Sequence, residues 1–360
     1  MHTLVVSDLH LGLRSGRDRL RERSVRARLL AALAGARRLV LLGDTLELRE
    51  GPVREVLRVA LPVLAELGAV LGPDGEALLL VGNHDHHLLD PWLARRAERG
   101  PPLGLEAEVD WREGEPLAAL VRALRPARVR VAYPGAWLAP GVYATHGHYL
   151  DAETTLPTFE RLGAGAMARL LRRPLPQPAL AEDYEALLAP LYAWLHASAQ
   201  GRLGRGGFDS NGATLRAWAR LRGNGRERDW RTRLLRAALP LAVATLNRAG
   251  LGPLRADLSG DALRDASLRA FARALERLQV GAARVIFGHT HRAGPLPGDP
   301  PSRWRTAAGG ALINAGSWVH EPAFVGRDPS SSPYRPGFAV RLGGGASPEP
   351  ELVNLLDGAG

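Results

Sequence analysis

Short apolar runs, each ending in a glycine or in a side chain able to bind a metal, recur along the chain. Leu4-Val5-Val6-Ser7 leads to Asp8 and His10, and Leu39-Val40-Leu41-Leu42 leads to Gly43-Asp44. Ala77 to Val81 leads to Gly82-Asn83-His84-Asp85, Val142 to Thr145 to His146 and His148, and Arg284 to Phe287 to Gly288-His289-Thr290-His291. Runs this short and this apolar predict strands covered on both faces. Open α/β sheets place their ligands at the carboxyl ends of such strands.

Between the first three runs, apolar positions at three and four spacing predict helices over Arg17 to Ala36 and Val53 to Leu67, the second carrying Pro62. Strand and helix in alternation predict a layered α/β sheet. Pro91 to Arg125 reads as helix with loops. Val129 to Tyr133 alternates with period two and is expected in a second sheet, closed by Ala311 to Asn314 and Gly337 to Leu342. From Asp151 to Val280 the strand signal fades and alanine, leucine and arginine dominate at helical spacing. The expected organisation is therefore a core from residues 1–150 and 281–360, interrupted by a helical, arginine-rich insertion over 151–280.

Composition narrows the chemistry. With no cysteine, disulfides, thiolate zinc sites and thiol catalysis are excluded. The formal charge of +10 comes with arginine at every basic position, which favours anionic partners such as phosphates, nucleic acid or lipid headgroups. Residues 151–280 hold 20 arginines against 13 acids, concentrated between Arg202 and Arg236 near Trp218 and Trp230. The nearly apolar stretch Leu234 to Leu246 follows. The chain enters a strand at Leu4, so a cleaved leader is not expected, and no apolar run approaches the roughly 18 residues of a membrane span. A cytoplasmic location is expected, with peripheral membrane contact through the insertion left open.

Imidazole nitrogens mixed with carboxylate and amide oxygens suit manganese, iron or zinc rather than an all-oxygen calcium or magnesium cage. In Asp8-x-His10 and His289-x-His291, ligands two residues apart can face the same side of a strand end.

Asp8-x-His10, Gly43-Asp44, Gly82-Asn83-His84-Asp85, His146 and Gly288-His289-x-His291, in this order, resemble the calcineurin-like metallophosphoesterases. The resemblance implies a four-layer α/β/β/α sandwich of two mixed sheets. It implies two divalent metal ions, manganese first and iron or zinc as alternatives. Asp8, His10 and His291 would hold one, Asn83, His146 and His289 the other, and Asp44 would bridge both. His84, oriented by Asp85, would act in its imidazolium form beside the scissile phosphate, and a metal-bridging hydroxide would attack phosphorus in line. The activity implied is hydrolysis of a phosphate ester or pyrophosphate, on a nucleotide or lipid-linked substrate. UDP-diacylglucosamine pyrophosphatases are relatives with a helical lid of this kind, and their familiar branch has arginine where this chain has His84.

A nuclease is the alternative, with arginine and interleaved tryptophan following a phosphate backbone. A catalytically silent scaffold is the alternative from another class, but it should show gaps at the ligand positions, and none are present. His148 reads equally as a partner of a ligand, a phosphate contact or an exposed loop residue. His86 and His87 are expected at the surface or rim, and Asn314-Ala315-Gly316-Ser317 as structural support near the site.

Overall fold

The computed structural model describes residues 2–156, 158–171, 174–200, 241–249, 251–255, 260–326, 328–344 and 348–357. It is an α/β protein with a large mixed sheet and helices. Two compact units divide it: Met1–His148, Leu195–Gly207 and Gly281–Gly360 form one, and Tyr149–Trp194 with Phe208–Val280 the other.

In the first unit, β1 (His2–Val6), β2 (Ala36–Leu42) and β3 (Glu76–Leu80) run parallel, with Val5 opposite Val40 and Val40 opposite Leu78. Leu39, Val40, Leu41 and Leu42 are wholly buried, as a strand covered on both faces requires. The connecting helices are α1 (Arg23–Leu33) and α2 (Val53–Leu71). Helix α2 buries Val56, Ala60, Val63, Leu64, Leu67 and Leu71, a single stripe at three and four spacing. Each leucine so buried contributes about 1.5–3 kcal/mol. Downstream lie α3 (Asp90–Arg99) and α4 (Pro116–Ala123), the latter packed on α2.

The two groups of strands expected as separate sheets are joined. The short β4 (Glu106–Glu108) pairs with β5 (Arg128–Ala139), a strand of 12 residues that takes part in three ladders. Its first half, Arg128 to Ala132, lies parallel to β3. Its second half, from Gly135, pairs antiparallel with β6 (Val142–Thr145). Pro134, with no N–H to give to a ladder, stands between the halves. Beyond β6 follow β7 (Arg284–Phe287) and β8 (Ala311–Asn314), each parallel to its neighbour. At the other edge, β9 (Phe338–Leu342) pairs antiparallel with β1, and β10 (Pro350–Asn354) with β9. Two expectations are thereby corrected: Val129 to Tyr133 and Gly337 to Leu342 pair with the first group of strands, not the second. Period-two alternation marks a strand without naming its neighbour. Val5, Val40, Leu78, Ala144, Ile286 and Ile313 nevertheless share one hydrophobic core, so both groups turn one face to the same interior.

The regular elements among the described residues of the second unit are helices: Leu150–Glu153, Phe159–Leu171, residues 241–248 and Gly260–Arg277, with most of Ala181–Gln200. Tyr149 and Tyr184 stack at 4.8 Å within it. The basic stretch from Arg202 to Arg236 lies outside the described residues, and with it the expectation of a lid or membrane contact. Among the described residues no helix is long and apolar enough to cross a membrane.

Candidate metal centre

All seven residues expected as ligands belong to the first unit, just beyond the carboxyl ends of β1, β2, β3, β6 and β7. Parallel pairing puts those ends side by side, so side chains up to 283 positions apart meet. Among the described residues, three overlapping groups could each hold a metal ion: Asp8, His10 and His291; His10, Asp44 and His84; and Asp44, His146 and His289. In each group the ligand atoms lie within 4.8 Å of one another.

Local hydrogen bonding aims one atom of each ligand inward. Asp8 Oδ2 accepts from the Ser7 hydroxyl at 2.6 Å and the His289 N–H at 3.0 Å. That leaves Asp8 Oδ1, buried with no hydrogen-bond donor, facing His291 Nε2 at 3.2 Å. Asp44 Oδ1 accepts the His84 N–H at 2.8 Å, while Asp44 Oδ2 faces His10 Nε2 at 3.6 Å and His146 Nε2 at 3.2 Å. One oxygen thus looks toward both groups, the place a bridging ligand occupies. His146 Nδ1 pairs with the Leu42 carbonyl at 2.9 Å, which turns Nε2 inward. Asn83 Oδ1 sits 3.1 Å from both His146 Nε2 and His289 Nδ1. Ligands whose second atom is tied to protein in this way are held in one orientation.

The donors fit a cation. His10 Nε2 and His291 Nε2 are 3.1 Å apart, and an orphaned carboxylate oxygen faces them. Such a cluster of lone pairs in a buried site needs positive charge between its members.

Backbone conformation carries the same mark. Asp8, His10, Asp44, His289 and His291 have φ of 55°, 44°, 49°, 65° and 56°, and only Gln279 joins them among the described non-glycine residues. Left-handed backbone in residues other than glycine is uncommon and costs about 1–3 kcal/mol, so it gathers where a site imposes it. Gly43 precedes Asp44 at φ 82°, and a Cβ there would stand 2.4 Å from the His146 ring. Only glycine lets β2 turn at this spot with the imidazole against its backbone.

Protons are drawn to the same atoms. His146 is pushed up to about 9: burial opposes the charged ring, but the Asp44 and Asp8 carboxylates and the bonds to Asp44 and Leu42 outweigh it. His10 is likewise raised well above its ordinary value, burial being overcome by the Asp8 and Glu47 carboxylates beside it. Asp8 and Asp44 are held below the usual carboxylate range, since the neighbouring histidines more than offset burial.

One central residue has no counterpart in the sequence expectations. Glu47 Oε2 stands 2.9 Å from His10 Nδ1 and 2.7 Å from His84 Nδ1. Its other oxygen accepts the Arg49 N–H at 3.0 Å. Glu47 is buried, yet its carboxyl is held low because His84 and His10 outweigh desolvation. The signal was present in Gly43-Asp44-x-x-Glu47, a second acid three residues after the first.

Asp85 was expected to orient His84, and this is corrected. Its oxygens accept backbone N–H groups: Gly82 at 2.7 Å on one, Thr45 at 2.7 Å and Leu46 at 3.3 Å on the other. Asp85 fastens the turn after β3 to the turn after β2, and burial with Asp44 nearby pushes it up to about 6. The carboxylate on His84 Nδ1 is that of Glu47. Burial holds His84 below its ordinary value, so near neutral pH the imidazolium form is disfavoured and Nε2 presents a lone pair.

His148 is buried rather than exposed, with Nε2 3.1 Å from the Tyr133 hydroxyl. His86 is also buried, against the expectation of a surface or rim position, whereas His87 is partly exposed and pairs with Asp90 at 2.5 Å. Asn314 Nδ2 donates to the Gly288 carbonyl and to Thr290 Oγ1, both at 2.9 Å, bracing the loop that carries His289 and His291. The chain matches no protein-family model and no curated protein.

Proposed function

We propose that this protein is a dimetal phosphoesterase of the calcineurin-like kind, hydrolysing a phosphate ester or pyrophosphate. The observation that carries the reading is the double use of Asp44 Oδ2, which faces His10 on one side and His146 on the other. Asp8, His10 and His291 would hold one divalent cation, and Asn83, His146 and His289 the other, with manganese the first choice the resemblance implies and iron or zinc equally compatible with mixed imidazole and oxygen donors. When bound, such a pair supplies Lewis acidity and a water acidic enough to attack phosphorus near neutral pH.

The chain's own residues do the rest. Glu47 fixes the His10 and His84 rings through their Nδ1 atoms, so both Nε2 atoms face the site. His84 takes up a proton at Nε2 when phosphate brings negative charge beside it, and passes that proton to the leaving oxygen. Glu47 balances the imidazolium formed. Both strand groups share one core, which supports a four-layer α/β/β/α sandwich with β5 as the strand common to its two sheets.

The test is hydrolysis of bis-p-nitrophenyl phosphate by protein loaded with manganese. Activity that disappears in Asp44→Asn, with folding intact by circular dichroism, supports the reading. An inactive wild-type protein that binds no manganese overturns it.

A further inference from the structure

We propose that His196 is a positioning residue for the metal centre: as a neutral imidazole it fastens the loop of residues 48–53, and on protonation it lets that loop go.

The loop follows Asp44 and Glu47 after β2 and forms no strand. On one side it is tied to the centre, because the Leu48 N–H donates to the His84 carbonyl at 3.3 Å. On the other it meets the last turn of the helix Ala181–Gln200, whose residues 195–200 belong to the same compact unit. His196 Nδ1 donates to the Leu48 carbonyl at 3.2 Å. Gln200 Oε1 accepts the Val53 N–H, and its Nε2 donates to the Gly51 carbonyl, both at 3.0 Å. Three hydrogen bonds thus pin both ends of the loop. Leu48 is next in the chain to Glu47, whose carboxylate holds the His10 and His84 rings. A displaced Leu48 shifts that carboxylate, and a misplacement of about 1 Å can cost catalysis about 10²-fold.

The His196 ring also lies flat on His87, with centroids 3.7 Å apart and planes 16° from parallel. His87 belongs to the turn after β3, and its Nδ1 donates to Asp90 Oδ2 at 2.5 Å. A proton taken up by the stacked pair is therefore balanced on His87 by a carboxylate, whereas on His196 it would face only a carbonyl. A second proton puts like charges face to face, which drives the rings apart. Among the described residues, the charged groups that bear on His196 are His87 and Asp90. Burial and the His87 charge hold His196 below its ordinary 6.5, outweighing the Leu48 bond and Asp90. Fastening is therefore complete above about pH 6.5, the value of the released ring, and weakens as pH falls below it.

The experiment is hydrogen exchange of residues 48–53, read by mass spectrometry as protection factors between about pH 5 and about pH 8. Wild type should lose protection toward the acid end by about 2–10-fold, the factor one hydrogen bond carries. His196→Ala should show the low protection throughout. His196→Asn keeps an N–H near the Nδ1 position without a titrating ring, so it should stay protected at both ends. His87→Phe keeps the stack without the charge and should raise the His196 titration, followed by NMR of the ring protons. Wild-type protection in His196→Ala overturns the proposal, as does a pH dependence that persists in His196→Asn or a His196 titration unmoved in His87→Phe. The effect on turnover rests on the phosphoesterase reading. With manganese and bis-p-nitrophenyl phosphate, His196→Ala should lower kcat by about tenfold or more at unchanged metal content, and His196→Asn should restore it. Unchanged kcat beside lost protection overturns the positioning role. A wild-type protein without hydrolysis overturns the phosphoesterase reading, while hydrogen exchange still decides the fastening.

Discussion

Glu47 Oε2 lies 2.7 Å from His84 Nδ1, closer than to any other ring nitrogen it is seen to engage. A buried carboxylate at that distance fixes the ring and favours its charged form, against the burial that disfavours it. Glu47→Gln keeps the shape and removes the charge. It should lower turnover by about 10–100-fold, the usual effect of losing a group that orients a ligand or base. The His84 pKa, followed by NMR of the ring protons, should fall further. An unchanged His84 titration would show that the contact does not govern this ring.

Asp85 should behave differently. Removing its carboxylate in Asp85→Ala strands the Gly82 and Thr45 N–H groups, each bonded at 2.7 Å. Buried donors left without a partner cost about 1–3 kcal/mol each, so denaturant unfolding should show a marked loss of stability. The His84 titration should stay where it is.

His84 itself stands in a group able to hold a metal, with His10 and Asp44. If it is an acid rather than a ligand, His84→Ala should cut turnover by about 10²–10⁴-fold while manganese content, measured by plasma mass spectrometry, stays at the wild-type level. Loss of metal along with activity would make His84 a ligand. Because burial depresses His84, the acid is spent as pH rises, and kcat/KM should fall on the alkaline side of a value below the ordinary 6.5.

Metal binding should release protons near neutral pH. His146 is raised to about 9 and His10 also upward, so both rings carry protons at pH 7 that a cation must displace. Calorimetric heats of manganese binding should then depend on the ionisation enthalpy of the buffer, in the sense of release. In chelator-treated protein the same shift stabilises the fold. That contribution is complete below about pH 6.5, the unfolded value, and disappears as pH rises through about 9. The melting temperature should therefore drop across this window, and manganese should restore it.

The strands that carry ligands were legible because each is a buried apolar run ending in a ligand-bearing turn; Val142–Thr145 and Arg284–Phe287 appear with the boundaries expected. Strand β4 was not legible, since Glu106-Ala107-Glu108 offers no apolar pattern and exists by pairing with β5. Partners were harder still: β5 serves three ladders, and nothing in a local pattern marks a strand that changes neighbours. In the site, ligand residue types announced themselves, whereas Glu47 and Asp85 were hard to rank because two nearby acids look alike in sequence. Adjacency favoured Asp85. The fold turned its carboxylate onto backbone N–H groups and brought Glu47, 37 residues before His84, to the ring.

The left-handed backbone at Asp8, His10, Asp44, His289 and His291 sets endurance against usefulness. Glycine at any of them would relax the chain, recovering part of a strain of about 1–3 kcal/mol against a flexibility penalty of up to about 1, and would delete a donor atom in the same stroke. A lineage selected only to withstand heat would wear these side chains away one after another. Their presence together is the imprint of a demand other than robustness.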